Sequence, residues 1–96
     1  MKVDVVAHLH AKPGKESELR KVLESFVAPT RLEEGCIRYD LFLDLDHPGR
    51  FTFIEEWASR EALQQHGQSA HITAGREHFP ELLGDPAWVQ VVTQIL

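Results

Sequence analysis

The sequence predicts a single α+β domain of the ferredoxin-like class, in which strands and helices follow the order β-α-β-β-α-β around one antiparallel sheet. Three observations predict this fold. Four segments alternate apolar and polar residues as strands do, two segments repeat apolar residues with a helical period, and turn residues separate them. No linker or change of composition divides the 96 residues, so residues 1–96 are expected to form one domain.

The first strand and first helix are predicted over the first third of the chain. Residues 2–11 alternate, and one face of this strand carries Val3, Val5, Ala7, Leu9 and Ala11. Residues 12–15 form a turn because they contain Pro and Gly. The apolar stripe of the helix that follows is Leu19, Val22, Leu23, Phe26 and Val27. Pro29 is expected to interrupt or kink this helix, and Gly35 to cap its end.

The second and third strands are predicted as a hairpin. They cover residues 36–43 and 50–57, and the loop 44–49 between them has the Asp, Pro and Gly content of a turn. One face of the third strand carries Phe51, Phe53, Glu55 and Trp57. Both helices are then expected to pack on one face of the sheet.

The second helical region is predicted in two pieces. Ser59 is a suitable N-cap for a helix that runs to His66, and Gly67-Gln68 weakens that helix. Ser69 can cap a second piece that runs to about Phe79, just before Pro80. After a turn at Asp85-Pro86, residues 88–96 alternate as a last strand.

Apolar residues fall on both faces of the predicted sheet. The face away from the helices is expected to carry several of Val6, Tyr39 or Phe42, Phe53, Trp57 and Val92. A four-stranded sheet with two apolar faces is poorly stable as a monomer in water. The sequence therefore predicts a homodimer in which two sheets pack face to face, as a dimeric α+β barrel.

Composition and charge exclude several classes of protein. Lys and Arg total 10 against 15 Asp and Glu, for a net charge of −5, so a nucleic-acid partner is not expected. No apolar run approaches the length of a membrane span, and residues 1–4 do not open a signal peptide, so a cytoplasmic protein without a membrane partner is expected. The one cysteine, Cys36, excludes an internal disulfide and a thiolate-rich metal site, and is expected to pack inertly.

Four short motifs carry a resemblance to a known family. They are Lys12-Pro13-Gly14-Lys15, the run 34–39, Glu-x-Trp-x-Ser at 55–59, and His-x-x-Ser-x-His at 66–71. In this order they resemble the antibiotic biosynthesis monooxygenase domain, a family of dimeric α+β barrels that includes quinol monooxygenases. The resemblance implies oxidation of a small quinol-like or phenolic aromatic by dioxygen, without flavin, haem or metal.

Histidine is the residue type that this chemistry requires. Loss of the phenolic proton makes the substrate a better electron donor, so the protein needs a base whose pKa lies near neutrality. The sequence contains no G-x-G-x-x-G dinucleotide motif, which is consistent with a reaction that needs no cofactor.

The candidate catalytic residues are His66 and His71. On one straight helix they would lie about 140° apart, but the break at Gly67 can bring them to one pocket between the sheet and the second helix. The candidate substrate-binding residues are Trp57, Glu55, Phe53, Tyr39 and His8. Glu55, on an apolar face, needs a partner, which is expected to be a histidine, Arg38 or a backbone amide.

No metal site is predicted. His8 and His10 could bind a metal together with another histidine, but no carboxylate completes the set, and they are expected to face a pocket or the dimer interface. His47 and His78 are expected to be solvated. So is the cluster of Arg31, Glu33 and Glu34.

Three other functions remain open. The first is haem binding or degradation, which some relatives perform, but Ala7 stands where those relatives place an asparagine. The second is a non-oxidative isomerase that acts on a small carbonyl compound. The third is a dimeric module that binds a small molecule without catalysis. The fold does not choose between them.

Overall fold

Four strands and five helical segments make up the fold in a computed structural model that describes residues 1–96. The strands are β1 (Val3–His10), β2 (Cys36–Leu43), β3 (Arg50–Trp57) and β4 (Trp88–Val92). The helices are α1 (Glu16–Ser25), α2 (Val27–Arg31), α3 (Arg60–Gly67), α4 (Ala70–Arg76) and α5 (Phe79–Leu82). The sheet order is β2-β3-β1-β4 with every pair antiparallel, which confirms the predicted ferredoxin-like α+β class. None of these helices has the length and apolar character needed to cross a membrane.

The sheet buries only the face that the helices cover. Every second residue of β1 and of β3 is buried, so the alternation in the sequence correctly identified the inward faces of these strands. Phe53, Trp57 and Tyr39 all lie on this inward face, with exposures of 3% or less. The expectation that some of these three point away from the helices is therefore wrong. The thirteen residues of the core are Val3, Val5, Ala7, Leu9, Leu19, Leu23, Phe26, Tyr39, Phe51, Phe53, Trp57, Ile72 and Leu82.

The first helical region breaks where Pro29 requires it. A proline at position 29 has no N–H for the carbonyl of Ser25 and crowds it, so α1 ends at Ser25 and α2 begins two residues later. At the break, the amide of Phe26 donates to the carbonyl of Leu23. This confirms the predicted interruption.

Gly35 does not cap a helix. The helix α2 ends at Arg31, with Leu32 as its C-cap, and Gly35 lies in the turn that enters β2. Its φ of +86° suits glycine, and a Cβ on it would collide with the Cβ of Ala62 on α3. The predicted capping role of Gly35 is therefore wrong, and Gly35 instead forms a turn that lets α3 pack closely.

The second helical region ends sooner than expected. The helix α4 stops at Arg76, and Pro80 lies in the first turn of the short helix α5, where a missing N–H has no cost. The last strand is also shorter than the predicted 88–96. It ends at Val92, opposite Asp4, next to the first residue of its partner β1, and residues 94–96 have no strand to pair with there.

The outward face of the sheet has an ionic end and a region of mixed polarity. At the ionic end, Asp4, Glu56 and Arg38 lie side by side, and Lys2 bonds both Asp4 (2.9 Å) and Glu56 (3.1 Å). The two rows beyond them combine apolar and polar residues: Asp40, Ile54, Val6 and Gln90, then Phe42, Thr52, His8 and Trp88. Trp88 and Phe42 in this region are about half exposed.

The contact between α4 and the core leaves no room at Gly75. A Cβ on Gly75 would overlap the ring of Phe26, which is itself buried. We expect Gly75→Ala to lower the free energy of unfolding by about 1–3 kcal/mol, because the Phe26 ring must leave its packed position. Urea denaturation measures this change.

Gly67→Ala is the matched control, since the nearest side-chain atom to its Cβ is 3.8 Å away. There the same substitution should be neutral or stabilise by up to about 1 kcal/mol, because alanine favours a helix. Equal effects of the two substitutions would contradict the packing described for α4.

Candidate active site

One carboxylate holds two histidines together. Oε2 of Glu33 is hydrogen-bonded to Nδ1 of His66 at 2.8 Å and lies 3.1 Å from Nε2 of His71, which is itself hydrogen-bonded to Oγ1 of Thr30 at 2.9 Å. Glu33 lies between α2 and β2, His66 in the last turn of α3, and His71 in the first turn of α4. The site therefore forms where three separate segments of the chain meet.

The break between α3 and α4 brings the two histidines to the same side. The chain leaves α3 after Gly67 and starts α4 at Ala70, so the two rings are not constrained by one helical period. The hydroxyl of Ser69 donates to the carbonyl of His66 at 2.7 Å, and Arg76 donates to the carbonyl of Gly67 at 2.7 Å. These bonds hold the break, and the ring centroids of His66 and His71 lie 6.2 Å apart. The predicted juxtaposition of the pair is confirmed.

Aromatic rings surround His66. Its ring centroid lies 4.7 Å from that of Trp57 and 5.3 Å from that of Tyr39, and Tyr39 in turn stacks on Phe53 at 4.8 Å. His66 retains only 7% of its exposure. Three of the predicted site residues, Trp57, Tyr39 and Phe53, thus form the wall behind the histidine pair.

Burial decides the ionisation of His66. Loss of solvation lowers the pKa of His66 below its ordinary value, although the hydrogen bond and charge of Glu33 act in the opposite direction. At neutral pH the ring is therefore neutral, with one N–H directed at Glu33. The site opens to solvent on its other side, where the side chains of Glu33 and His71 are 17% and 23% exposed.

Glu55 pairs with Trp57. Its carboxylate is 5% exposed and accepts a hydrogen bond of 2.9 Å from the indole Nε1 of Trp57. The expected partners were a histidine, Arg38 or a backbone amide, and Arg38 instead pairs with Asp40 (2.6 Å) on the outward face. Burial raises the pKa of Glu55, and the hydrogen bond from Trp57 only partly offsets this.

Sequence reasoning missed Glu33 and Thr30. The Glu33-Glu34 pair was expected to be solvated, and this holds for Glu34 but is wrong for Glu33. Thr30 is fully buried, and its Oγ1 lies 2.9 Å from Nε2 of His71. No periodic pattern covers residues 32–35, so nothing in the sequence indicates which glutamate turns inward. The polar atoms are well matched, since no buried side-chain N or O lacks a hydrogen-bond partner.

His8 lies on the opposite face of the sheet. Its Nδ1 is 2.9 Å from Oγ1 of Thr52, and its ring stacks on Trp88 with centroids 5.1 Å apart. His10, two residues along, faces Asp85 at 3.4 Å. The structure therefore separates His8 from the histidine pair, on the surface where the sequence also allowed a dimer interface.

None of the five main surface cavities is the pocket expected beside His66. These cavities measure 330 to 540 Å³, and none of the five is lined by His66 or His71. On its buried side the His66 ring packs on Trp57 and Tyr39, and Phe53 stacks on Tyr39. The partly open side, where Glu33 and His71 lie, is the approach for a ligand.

The remaining sequence expectations concern Cys36 and the outlying histidines. Cys36 is half-buried against the core, and burial raises the pKa of its thiol, so it packs as expected. His47 and His78 are exposed. Among groups that could hold a metal ion, Glu33, His66 and His71 offer three ligand atoms within 4.8 Å of one another.

Comparison with known sequences gives a consistent result. A sequence model of the family described as antibiotic biosynthesis monooxygenase matches residues 3–78. The Mycobacterium tuberculosis protein named "Putative monooxygenase Rv0793" is 37% identical over 93 residues, which is 97% of this chain and 91% of that protein. A Synechocystis relative, "Uncharacterized protein sll1783", is 33% identical over 87 residues, which is 91% of this chain but only 59% of the relative.

Comparison with solved structures confirms the fold. The structure of Rv0793 superposes with a TM-score of 0.93 and 36% identity, covering 99% of this chain and 96% of that one. The crystal structure of PA3566 from Pseudomonas aeruginosa superposes with a TM-score of 0.94 and 28% identity, covering 99% of this chain and 95% of that one. Both likenesses extend over nearly the whole chain.

The raised pKa of Glu55 makes the stability of the chain depend on pH. The folded state holds the Glu55 proton more tightly than the unfolded chain, whose value is 4.5, so the stabilising contribution is complete below that pH and is lost as the pH rises through the raised pKa. We expect Glu55→Gln to become more stable relative to wild type as the pH rises from 4 to 7, because the wild-type chain alone loses the contribution of the Glu55 proton over that range. Urea denaturation at the two pH values measures the difference.

Glu34→Gln provides the control, because it makes the same chemical change on an exposed side chain. Its effect should stay nearly constant between the two pH values. A constant effect of Glu55→Gln over the same range would show that Glu55 is not a buried carboxyl with a raised pKa.

Proposed function

The chain belongs to the antibiotic biosynthesis monooxygenase family, and we propose that it oxidises a small quinol-like or phenolic aromatic with dioxygen, using a histidine as the base. The observation that carries this proposal is that a single carboxylate oxygen of Glu33 lies within 3.1 Å of a ring nitrogen of both His66 and His71. A carboxylate that fixes one nitrogen of an imidazole leaves the other nitrogen to accept a proton, and it stabilises the imidazolium that forms.

His71 is the proposed base. Its Nε2 faces Oγ1 of Thr30 at 2.9 Å and Oε2 of Glu33 at 3.1 Å, two acceptors that favour the ring proton on Nε2 and leave the lone pair on Nδ1 for the phenolic proton. Its side chain is more exposed than that of His66, 23% against 9%, so a substrate can reach it. We assign His66 a positioning role, because its ring packs on Trp57 and its Nδ1 holds Glu33 from the buried side.

The reaction needs little more from the protein than this base. The phenolate formed by proton loss donates electrons to dioxygen. One oxygen atom enters the ring at a C–H position and becomes a carbonyl, and the other leaves as water, so one dioxygen is consumed for each quinone formed. The aromatic wall of Trp57, Tyr39 and Phe53 keeps water away from His66, which strengthens the hydrogen bond from His66 to Glu33.

We also propose that the chain works as a homodimer in which the outward faces of two sheets meet. Val6, Ile54 and Val92 lie on this face, and Trp88 and Phe42 on it are about half exposed. Burying such a surface against a second copy is favourable because apolar area leaves water. The ion pairs that join Lys2, Asp4 and Glu56 lie at one end, where they can stay solvated at the rim.

An isomerase is the second candidate. The same Glu33–His71 pair can move a proton on a small carbonyl compound without any oxidant. Turnover in the absence of dioxygen would favour this reading, whereas a strict requirement for dioxygen favours the oxidation.

Removal of the proposed base should abolish most of the activity. We expect His71→Ala to lower kcat for quinol or phenol oxidation by about a hundredfold or more, because general-base catalysis contributes a factor of that order. Dioxygen uptake with a panel of small quinols and naphthols, in a chelator-treated buffer, measures the rate. Glu33→Gln should lower kcat as well, since the amide cannot stabilise an imidazolium.

His78→Ala is the matched control, because His78 is exposed and lies outside the site. It should oxidise the same substrates at the wild-type rate. Equal rates for His71→Ala and wild type would exclude His71 as the base.

The dimer is tested by charging the outward face. We expect the wild-type chain to sediment as a dimer and Ile54→Asp to sediment as a monomer with unchanged far-ultraviolet circular dichroism, because an aspartate there would be buried without a partner. Leu45→Asp, in a fully exposed loop position, should leave the dimer intact. A wild-type chain that sediments as a monomer at micromolar concentration would overturn this part of the proposal.

A further inference from the structure

Glu33, His66 and His71 form a donor set that metal ions prefer. Two imidazole nitrogens and one carboxylate oxygen come from three different segments, and all three ligand atoms lie within 4.8 Å of one another. Imidazole and carboxylate are the common ligands of zinc and of other first-row divalent cations. A set of this composition with one open side corresponds to sites that keep a coordination position for water.

Two of the three distances in the site are close to those of a coordinated ion. Oε2 of Glu33 is 2.8 Å from Nδ1 of His66 and 3.1 Å from Nε2 of His71. Around a tetrahedral Zn²⁺ with bonds of about 2.0–2.1 Å, neighbouring ligand atoms are separated by about 3.3 Å. The two nitrogens are farther apart, within 4.8 Å, so an ion would draw the less buried His71 ring toward His66 by more than about one ångström. The proton on each coordinating nitrogen then shifts to the other nitrogen of its ring.

The surroundings keep the ligands in place. The His66 ring is held between Trp57 and Tyr39, with centroid distances of 4.7 and 5.3 Å. Packing of this kind around a ligand reduces the ordering that binding must impose. Nε2 of His71 lies 2.9 Å from Oγ1 of Thr30, and zinc would replace that contact.

The donor set also indicates which ions fit. Calcium takes six to eight oxygen ligands and magnesium takes near-octahedral oxygen ligands, whereas this site offers two nitrogens and one carboxylate. The partly exposed side chains of Glu33 and His71 leave an approach for an ion and for a water as a further ligand.

We propose that Glu33, His66 and His71 bind one Zn²⁺ ion per chain. Zinc binding depends on the donor geometry alone and does not require the proposed oxidation. The two uses of the site exclude each other, because a metal on Nε2 of His71 moves the ring proton to Nδ1 and removes the lone pair that a base needs. Binding is therefore measured without turnover.

Calorimetric titration of the chelator-treated full chain with Zn²⁺ tests the proposal. We expect one site per chain with a dissociation constant in the micromolar range or below, and a higher Tm in the presence of zinc, since the ion binds only the folded state. Glu33→Gln and His71→Ala should each weaken binding at least about tenfold, because even a residue that only supports a ligand is worth that much. Co²⁺ in place of zinc should give the intense visible bands of a four-coordinate nitrogen and oxygen site in wild type and not in the variants.

Controls separate this site from surface histidines. His10→Ala removes the histidine that faces Asp85, and His78→Ala removes an exposed histidine, so both should bind zinc as wild type does. Glu33→Gln is nearly isosteric and keeps the variant comparison valid if His71→Ala fails to fold. Absence of a zinc site in wild type, or binding that Glu33→Gln leaves unchanged, would overturn the proposal, and neither result would bear on oxidation by the metal-free chain.

Discussion

The geometry of the site depends on the packing of the buried indole of Trp57. It is completely enclosed at the end of β3, opposite Val3 on one neighbouring strand and Cys36 on the other. Its N–H satisfies the carboxylate of Glu55, and its ring packs on His66. If the indole moved, the buried carboxylate of Glu55 would lose its hydrogen-bond partner, which is costly. The indole therefore stays in place and fixes the plane of the His66 ring and the direction of its Nδ1.

The two faces of the sheet use polar groups in opposite ways. On the helix side, Glu33, Glu55 and His66 are placed among aromatic rings, and each has a specific partner. In that setting a hydrogen bond is stronger and an ionised group more costly than in water, which is why the pKa values of Glu55 and His66 are displaced from their ordinary values. On the outward face, the charges of Lys2 and Asp4 pair at one end in contact with solvent, where pairing contributes little to stability.

The repeat of apolar residues along the sequence predicted most of the strands and helices, because interactions between neighbouring residues determine these elements. The alternation of residues in β1 and β3 identified their buried residues, and Pro29 predicted the helix break, since both effects act within a few residues. Errors occur where a distant segment decides. β4 ends at Val92 near the N-terminal end of its partner β1, which offers nothing to pair with residues 94–96, and Gly35 forms a turn against which Ala62 packs. Neither the end of β4 nor the role of Gly35 can be predicted from the residues of that segment alone.

The candidate site likewise combines features set by neighbouring residues with features set by distant ones. The sequence alone indicated that a helix break at Gly67 could bring His66 and His71 together, and that Phe53 and Trp57 share a strand face. The packing of distant segments placed Glu33 beside the pair, turned Tyr39 inward and put His8 on the other side of the sheet. The reason is physical: helix breaks and strand alternation follow from neighbouring residues, whereas Glu33 and His66 are 33 positions apart and are brought together by the packing of helices against the sheet.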